Sequence, residues 1–164
     1  MPLKRAKIDL NTPNIRAAGP TDRELSYQHL ITDRLCAFVP PDHPLVKKKT
    51  ATLRDLVAYP LILLVKESSV RDIFDRALEK EGLKISVAHE SIYMSTALGM
   101  AHAGLGVAVL PESALDVASH PELRIVPVSS PALTRKIGII GKAGRSLSPA
   151  AAKLVDVLRQ LARA

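Results

Sequence analysis

The chain has 164 residues, 47% of them hydrophobic and 24% charged, with a formal net charge of +7; that length supports one domain with a buried core, and the composition is globular. Three Tyr, two Phe and no Trp leave no stacking platform for bases, and the densest basic groups are only Lys4, Arg5, Lys7 and Lys47, Lys48, Lys49, so a solvated basic surface is favoured over a nucleic-acid interface. Cys36 is the single cysteine, which excludes an intrachain disulfide, and without a signal-peptide core or a span-length apolar run the chain is expected to be cytoplasmic and free of the membrane.

Residues 1–19 mix charged residues with Pro, Asn and Gly and read as a leader without assigned structure. Over 20–32 the stretch is polar, anchored by Leu25, Tyr27 and Leu30, and fits a short edge strand or an extended linker. Leu35, Cys36, Ala37, Phe38 and Val39 form the first strand, with Cys36 as a buried, inert thiol. Pro40, Pro41, Asp42, His43 and Pro44 turn the chain. His43, with no second metal-type ligand nearby, reads as a turn residue making a local hydrogen bond. Thr52 followed three residues later by Asp55 opens a short helix through Leu53 and Leu56, which Tyr59 and Pro60 end.

The chain is organised around residues 61–82. Leu61, Ile62, Leu63, Leu64 and Val65 have the continuous apolar character of a strand buried on both faces of a parallel sheet. Lys66, Glu67, Ser68 and Ser69 break it. Val70, Ile73, Phe74, Ala77 and Leu78 then form one helical stripe, with Arg71, Asp72, Asp75, Arg76, Glu79 and Lys80 elsewhere around the helix and Gly82 at its C′ position. The serine turn has two readings from its residues. Ser69 is an N-cap with Asp72 completing a weak capping box, or the backbone N–H groups, hydroxyls and helix dipole together cradle a small anion.

Ile85 and Val87 suggest a half-exposed strand over 83–90, Ser91 a cap for a helix over 92–103, and Gly104 its end. Residues 105–110 form another buried strand, followed by a brief helix from Glu112 through Leu115 and Val117. This alternation predicts an α/β domain with a largely parallel sheet. The ending departs from it: strands at Leu123, Ile125 and Val128 and at 137–140 have no helix between them. Ser148 as N-cap and Pro149 at N1 then start a last helix with an apolar stripe of Ala151, Leu154, Val155, Leu158 and Leu161.

No nucleophile elbow, P-loop, zinc-protease motif or paired Cys-x-x-Cys is present. Gly104, Leu105 and Gly106 follow a helix and precede a strand, the wrong order for a dinucleotide fingerprint, and read as helix termination with close packing. His89 and Glu90, at a strand end, are candidate pocket lining.

Several segments together resemble the effector-binding domain of LysR-type transcriptional regulators. They are Pro41, Asp42, His43, Pro44, Leu45 after a strand; Leu53, Arg54, Asp55, Leu56 before Pro60, Leu61, Ile62; the run from Ala103 through Gly104, Leu105, Gly106, Val107, Ala108, Val109, Leu110 to Pro111; and Arg145, Ser146, Leu147, Ser148, Pro149, Ala150, Ala151. The resemblance implies an α/β, periplasmic-binding-protein-like (type 2) two-lobed fold over 20–164. The second lobe, 35–117, would be complete, and 118–164 would return to a partial first lobe. A small-molecule effector would sit in the cleft between lobes and control transcription. Effector contacts carry over to Ser68, Ser69, Val70 and Ser91, with Glu67 and Tyr93 as further lining, and this coincidence favours the anion reading of the serine turn.

The family's amino-terminal winged helix-turn-helix and first-lobe opening are not recognisable, so the resemblance implies a truncated regulator that does not itself bind operator DNA. It also implies self-association as a homo-oligomer through a rearranged contact, because the helix matching 70–81 lacks its usual partner. The expected ligand is an organic or inorganic anion, with no cofactor, no metal and no catalytic residue. Three other readings compete: a small α/β hydrolase-like enzyme using Ser69 with His89 or Glu90, a periplasmic-type solute-binding protein, and direct nucleic-acid binding through the basic surface.

Overall fold

The structure is a computed structural model that describes residues 25–117 and 120–162; the leader expected over 1–19 lies outside the described residues. The chain divides into two compact units, Asp33–Arg135 and a second whose described parts are 25–32 and 136–162.

The larger unit is built on β2 (Leu61–Leu64), all four of whose residues are buried. β3 (Val87–Ser91) and β4 (Val107–Pro111) run parallel to it on either side, and α2 (Ser69–Lys80) and α3 (Met94–His102) pack against it. α1, the single turn Leu53–Leu56, precedes β2 and carries the expected capping box between Thr52 and Asp55. Lys48 donates to the Asp55 carboxylate at 2.8 Å, and this bond, with those from Thr52, holds that carboxyl at about 2. His43 behaves as read from the sequence, accepting at Nδ1 from the Leu45 N–H at 3.2 Å, with its ring 4.6 Å from that of Tyr59.

The sheet is mixed rather than largely parallel. β1 (Leu25–Val39) is antiparallel to β4 and to β5 (Arg124–Pro127), giving the order β3-β2-β4-β1-β5. Helical crossovers make only β2, β3 and β4 parallel; hydrophobic runs carry no strand direction, so β1 and β5 were open to either sense. β5 is held on its other flank by Ala51, whose N–H donates to the Pro127 carbonyl at 2.8 Å. It thus belongs to the larger unit.

Three local expectations are corrected. β1 is one continuous strand from Leu25, because β6 (Thr134–Lys142) pairs with it and supplies backbone partners that its polar sequence does not advertise. β3 begins at Val87, not 83: Leu83 instead donates its N–H to the Leu78 carbonyl at 2.9 Å, and Gly82, at φ +65°, donates to Glu79 at 3.0 Å, closing α2 with a Schellman motif. The third is the helix stripe. Arg71 is 5% exposed, inside the apolar face rather than outside it. Its Nη1 donates to the Leu64 carbonyl (3.2 Å) and to Glu90 (2.7 Å), and its Nε to both oxygens of Asp75 (2.8 and 2.9 Å). Burial works against the charged guanidinium, but the two carboxylates outweigh it and raise its pKa.

In the smaller unit, Ser26 Oγ donates to the Gly141 carbonyl at 3.3 Å. α4 (Pro149–Leu161) starts as the sequence indicates, with Ser148 accepting from the Ala151 N–H and Pro149 at the first position. Arg159 Nη2 donates to Gln28 Oε1 at 2.7 Å. Of the predicted stripe Val155 is buried, whereas Leu154 and Leu161 are 59% and 69% exposed.

Two predictions follow from this packing. Arg71→Ala strands the Leu64 carbonyl and two carboxylates that remain partly solvated, so urea unfolding is expected to show a loss of about 2 kcal/mol; a loss below about 0.5 kcal/mol would mean that the guanidinium is not a structural tie. The Cys36 thiol, 3% exposed, is pushed from an ordinary 9.0 to about 11, chiefly by burial and then by Glu112 and Asp33. The native state therefore keeps a proton that the unfolded chain releases, so this contribution to stability is complete below pH 9.0 and is lost as pH rises through about 11. Alkylation at neutral pH is expected only at the rate of global unfolding. Rapid labelling of the folded protein contradicts this.

Candidate functional site

The carboxyl ends of β2, β3 and β4 lie at one edge of the sheet, where α/β proteins gather ligands. Register sets the neighbours. Leu64 stands level with Ser91, and the Val65 N–H donates to the Ser91 carbonyl at 3.0 Å. A register shift between Leu61 and Ile62, whose partners are Val87 and His89, bulges β3 at Ala88. The turn leaving β2 and the turn leaving β3 are thereby adjacent.

In the first turn the Ser68 N–H donates to the Val65 carbonyl at 2.9 Å, leaving Lys66 and Glu67 exposed at its corners. Ser68, not Ser69, is the N-cap of α2: its hydroxyl accepts from the Val70 N–H at 3.2 Å. The cap falls one residue earlier than the sequence suggested, because the turn closes at Ser68. Asp72 makes no capping box and pairs with Arg76. Ser69 is half-buried at the first helical position, and Val70 is buried. Among the described residues, no protein group accepts from the Ser69 or Arg71 N–H, and none bonds the Ser69 hydroxyl. This is the positive end of a 12-residue helix.

The second turn differs from expectation. Ser91 is the last residue of β3 rather than a helix cap; its hydroxyl accepts from the Tyr93 N–H (3.2 Å) and donates to the Tyr93 carbonyl (2.9 Å). Tyr93 is the N-cap of α3 without a side-chain cap bond, and its side chain and that of Ile92 are 68% and 70% exposed. The Ser91 hydroxyl thus holds the turn that presents Tyr93.

Glu90 and His89 line an open groove of about 620 Å³ with Lys66, Arg71 and Val87. Glu90 is engaged by Arg71, and among the described residues no hydrogen bond joins Ser69 to His89 or Glu90, so the catalytic pairing considered from sequence is not assembled.

Sequence reasoning missed a second polar cluster at the same sheet edge. Leu35 faces Pro111 across the antiparallel pair, which brings Asp33 beside Ser113. Ser113 Oγ donates to Asp33 Oδ2 at 2.8 Å, and Arg135 donates to the same oxygen from Nε (3.0 Å) and Nη2 (2.8 Å). Asp33 is buried. Separations of 80 and 102 residues leave no local signal for this cluster. Arg71 was missed for a nearer reason: only its i,i+4 spacing to Asp75 hinted at an ion pair.

Comparison with known proteins gives a consistent answer. Residues 14–163 match the family model described as LysR substrate binding domain. The uncharacterized HTH-type transcriptional regulator YybE of Bacillus subtilis is 33% identical over 150 residues, covering 91% of this chain and 49% of that protein. YbhD of Escherichia coli K12, likewise an uncharacterized HTH-type transcriptional regulator, is 30% identical over 86% of this chain and 44% of its own length. The chain thus spans about half the length of these relatives. Among solved structures, the Synechocystis CcmR regulatory domain in complex with 2-PG superposes with TM-score 0.75 at 22% identity, covering 88% of this chain and 70% of that one. The BenM effector binding domain with its effector benzoate gives TM-score 0.69 at 25% identity, covering 84% and 63%. These share the mixed α/β, type 2 periplasmic-binding-like fold. With a family match over most of its length, the chain belongs to the LysR substrate-binding domain family.

Proposed function

We propose that this chain is the small-molecule sensing domain of a cytoplasmic LysR-type transcriptional regulator, taking a small anion at the adjoining ends of β2 and β3. One observation carries the reading: the first turn of α2 offers the Ser69 hydroxyl and the Ser69 and Arg71 N–H groups with no protein partner among the described residues, at a helix N-terminus. Ser68 and Val70 shape that turn, and Ser91 positions Tyr93 beside it, with Glu67 at the rim. Support for an acid comes from BenM, whose effector benzoate is a carboxylate. The reading also proposes that the chain binds without turnover, self-associates, and acts on transcription through the longer protein that its relatives represent.

Ser68 and Ser69 separate folding from binding. Ser68→Ala removes a cap and is expected to cost about 1 kcal/mol of stability. Ser69→Ala leaves the cap in place, so its unliganded melting temperature should match the parent's. A thermal-shift panel of benzoate, other small carboxylates, inorganic phosphate, amino acids and sugars is expected to find a carboxylate or phosphate that raises the parent's melting temperature with concentration. Ser69→Ala should weaken the affinity read from the concentration dependence of that shift by about tenfold or more, a loss of about 1.4 kcal/mol. A full shift retained in Ser69→Ala moves the site elsewhere, and stabilisation by neutral sugars alone removes the anion assignment.

A further inference from the structure

Away from the turns just described, three potential metal ligands converge. His102 is the last residue of α3, and His120 and Glu122 lie on the segment entering β5. His102 Nδ1 is 2.9 Å from Glu122 Oε1, and His120 Nδ1 is 3.4 Å from the same oxygen. The two imidazoles stack with centroids 5.2 Å apart and planes at 24°. One ligand atom from each residue lies within 4.8 Å of the others.

We propose that His102, His120 and Glu122 form a binding site for a divalent transition metal, with Zn²⁺ as the matching ion. Zinc bonds of about 2.0–2.2 Å in a tetrahedron set donor atoms about 3.3 Å apart, so the observed spacing needs only small side-chain adjustments. Two imidazoles and one carboxylate suit zinc and its first-row neighbours, whereas calcium and magnesium want oxygen alone. The ligand pair is held in advance. The Leu123 N–H donates to the His120 carbonyl at 3.2 Å, closing a turn with Pro121 at its second position, where the ring presets φ. Leu123, 3% exposed, anchors that turn in the core.

His102 faces this turn from the carboxyl end of a nine-residue helix, the negative end of its dipole, which favours a cation. All three side chains are part-exposed, so solvent can complete the coordination. Bound zinc would join the end of α3 to the entry of β5, while the opposite end of the same helix begins at Tyr93.

The test uses the full chain stripped with EDTA and titrated with Zn²⁺ against a chromophoric chelator, with Co²⁺ absorption as an independent report of coordination. About one equivalent is expected to bind the parent, with a visible Co²⁺ band and a higher melting temperature in zinc. His102→Ala and His120→Ala should each weaken zinc by about tenfold or more, and Glu122→Gln should weaken it without removing either imidazole. His29→Ala is the control and should bind as the parent does. Melting of each variant without metal shows whether it folds. Zinc affinity unchanged in the two histidine variants, or in Glu122→Gln should a histidine variant not fold, overturns the proposal, as does a parent that cannot compete with the chelator.

Discussion

The pairing of β2 with β4 is the constraint on which the larger unit depends. It starts at Pro60, whose carbonyl accepts from the Val107 N–H at 2.8 Å, and it is possible only because Gly106, at φ +153°, has no side chain: a Cβ there would collide with the same carbonyl. Close approach at this point brings Leu61 level with Val107 and Ile62 level with Ala108. Once that register is set, β2 is enclosed between two parallel neighbours, its polar backbone is paired on both edges, and its apolar side chains can be buried completely.

The alignment of the three strand ends also needs the separate pairing of β2 with β3, whose register shifts between Leu61 and Ile62. Because β2 and β3 finish together at Leu64 and Ser91, the turns that leave them are neighbours, and Arg71 ties them from within by bonding the Leu64 carbonyl and Glu90 at once. A buried guanidinium with three anchors ties the first turn of α2 to the sheet, the kind of support that the proposed binding turn would need. Ser68 and Ser91 serve the same end by engaging their hydroxyls with nearby backbone, which leaves Ser69 and the exposed Tyr93 at the surface. Asp33 in the middle of β1, Ser113 just past the end of β4 and Arg135 of β6 are joined by charge-assisted bonds.

The smaller unit is built more sparsely. Its helix α4 is capped by Ser148, yet it buries Val155 and leaves Leu154 and Leu161 largely in solvent. Exposed apolar residues along one helix are a common basis for association, and they are consistent with the self-association proposed above.

Much of this molecule was legible before its fold was known. Wholly apolar runs marked β2, β4 and the second half of β1; Thr52 with Asp55, Ser148 with Pro149, and Gly82 marked helix ends; Pro and Asp around His43 marked a turn. Each is a local signal, set by backbone geometry or by hydrogen bonds spanning only a few residues. The serine turn was legible as a turn, but its cap was misplaced by one residue because Ser68 and Ser69 are chemically alike and only closure of the Val65–Ser68 bond distinguishes them. The sequence by itself thus determined most of the strand, turn and helix segments, though not the amino-terminal half of β1 or the start of β3, and which family the chain resembles. Tertiary structure alone decided strand direction, the burial of Arg71, and the meetings of Asp33 with Arg135 and of His102 with Glu122. Those depend on contacts between residues far apart in the chain, whose geometry is set by packing and register rather than by any local preference.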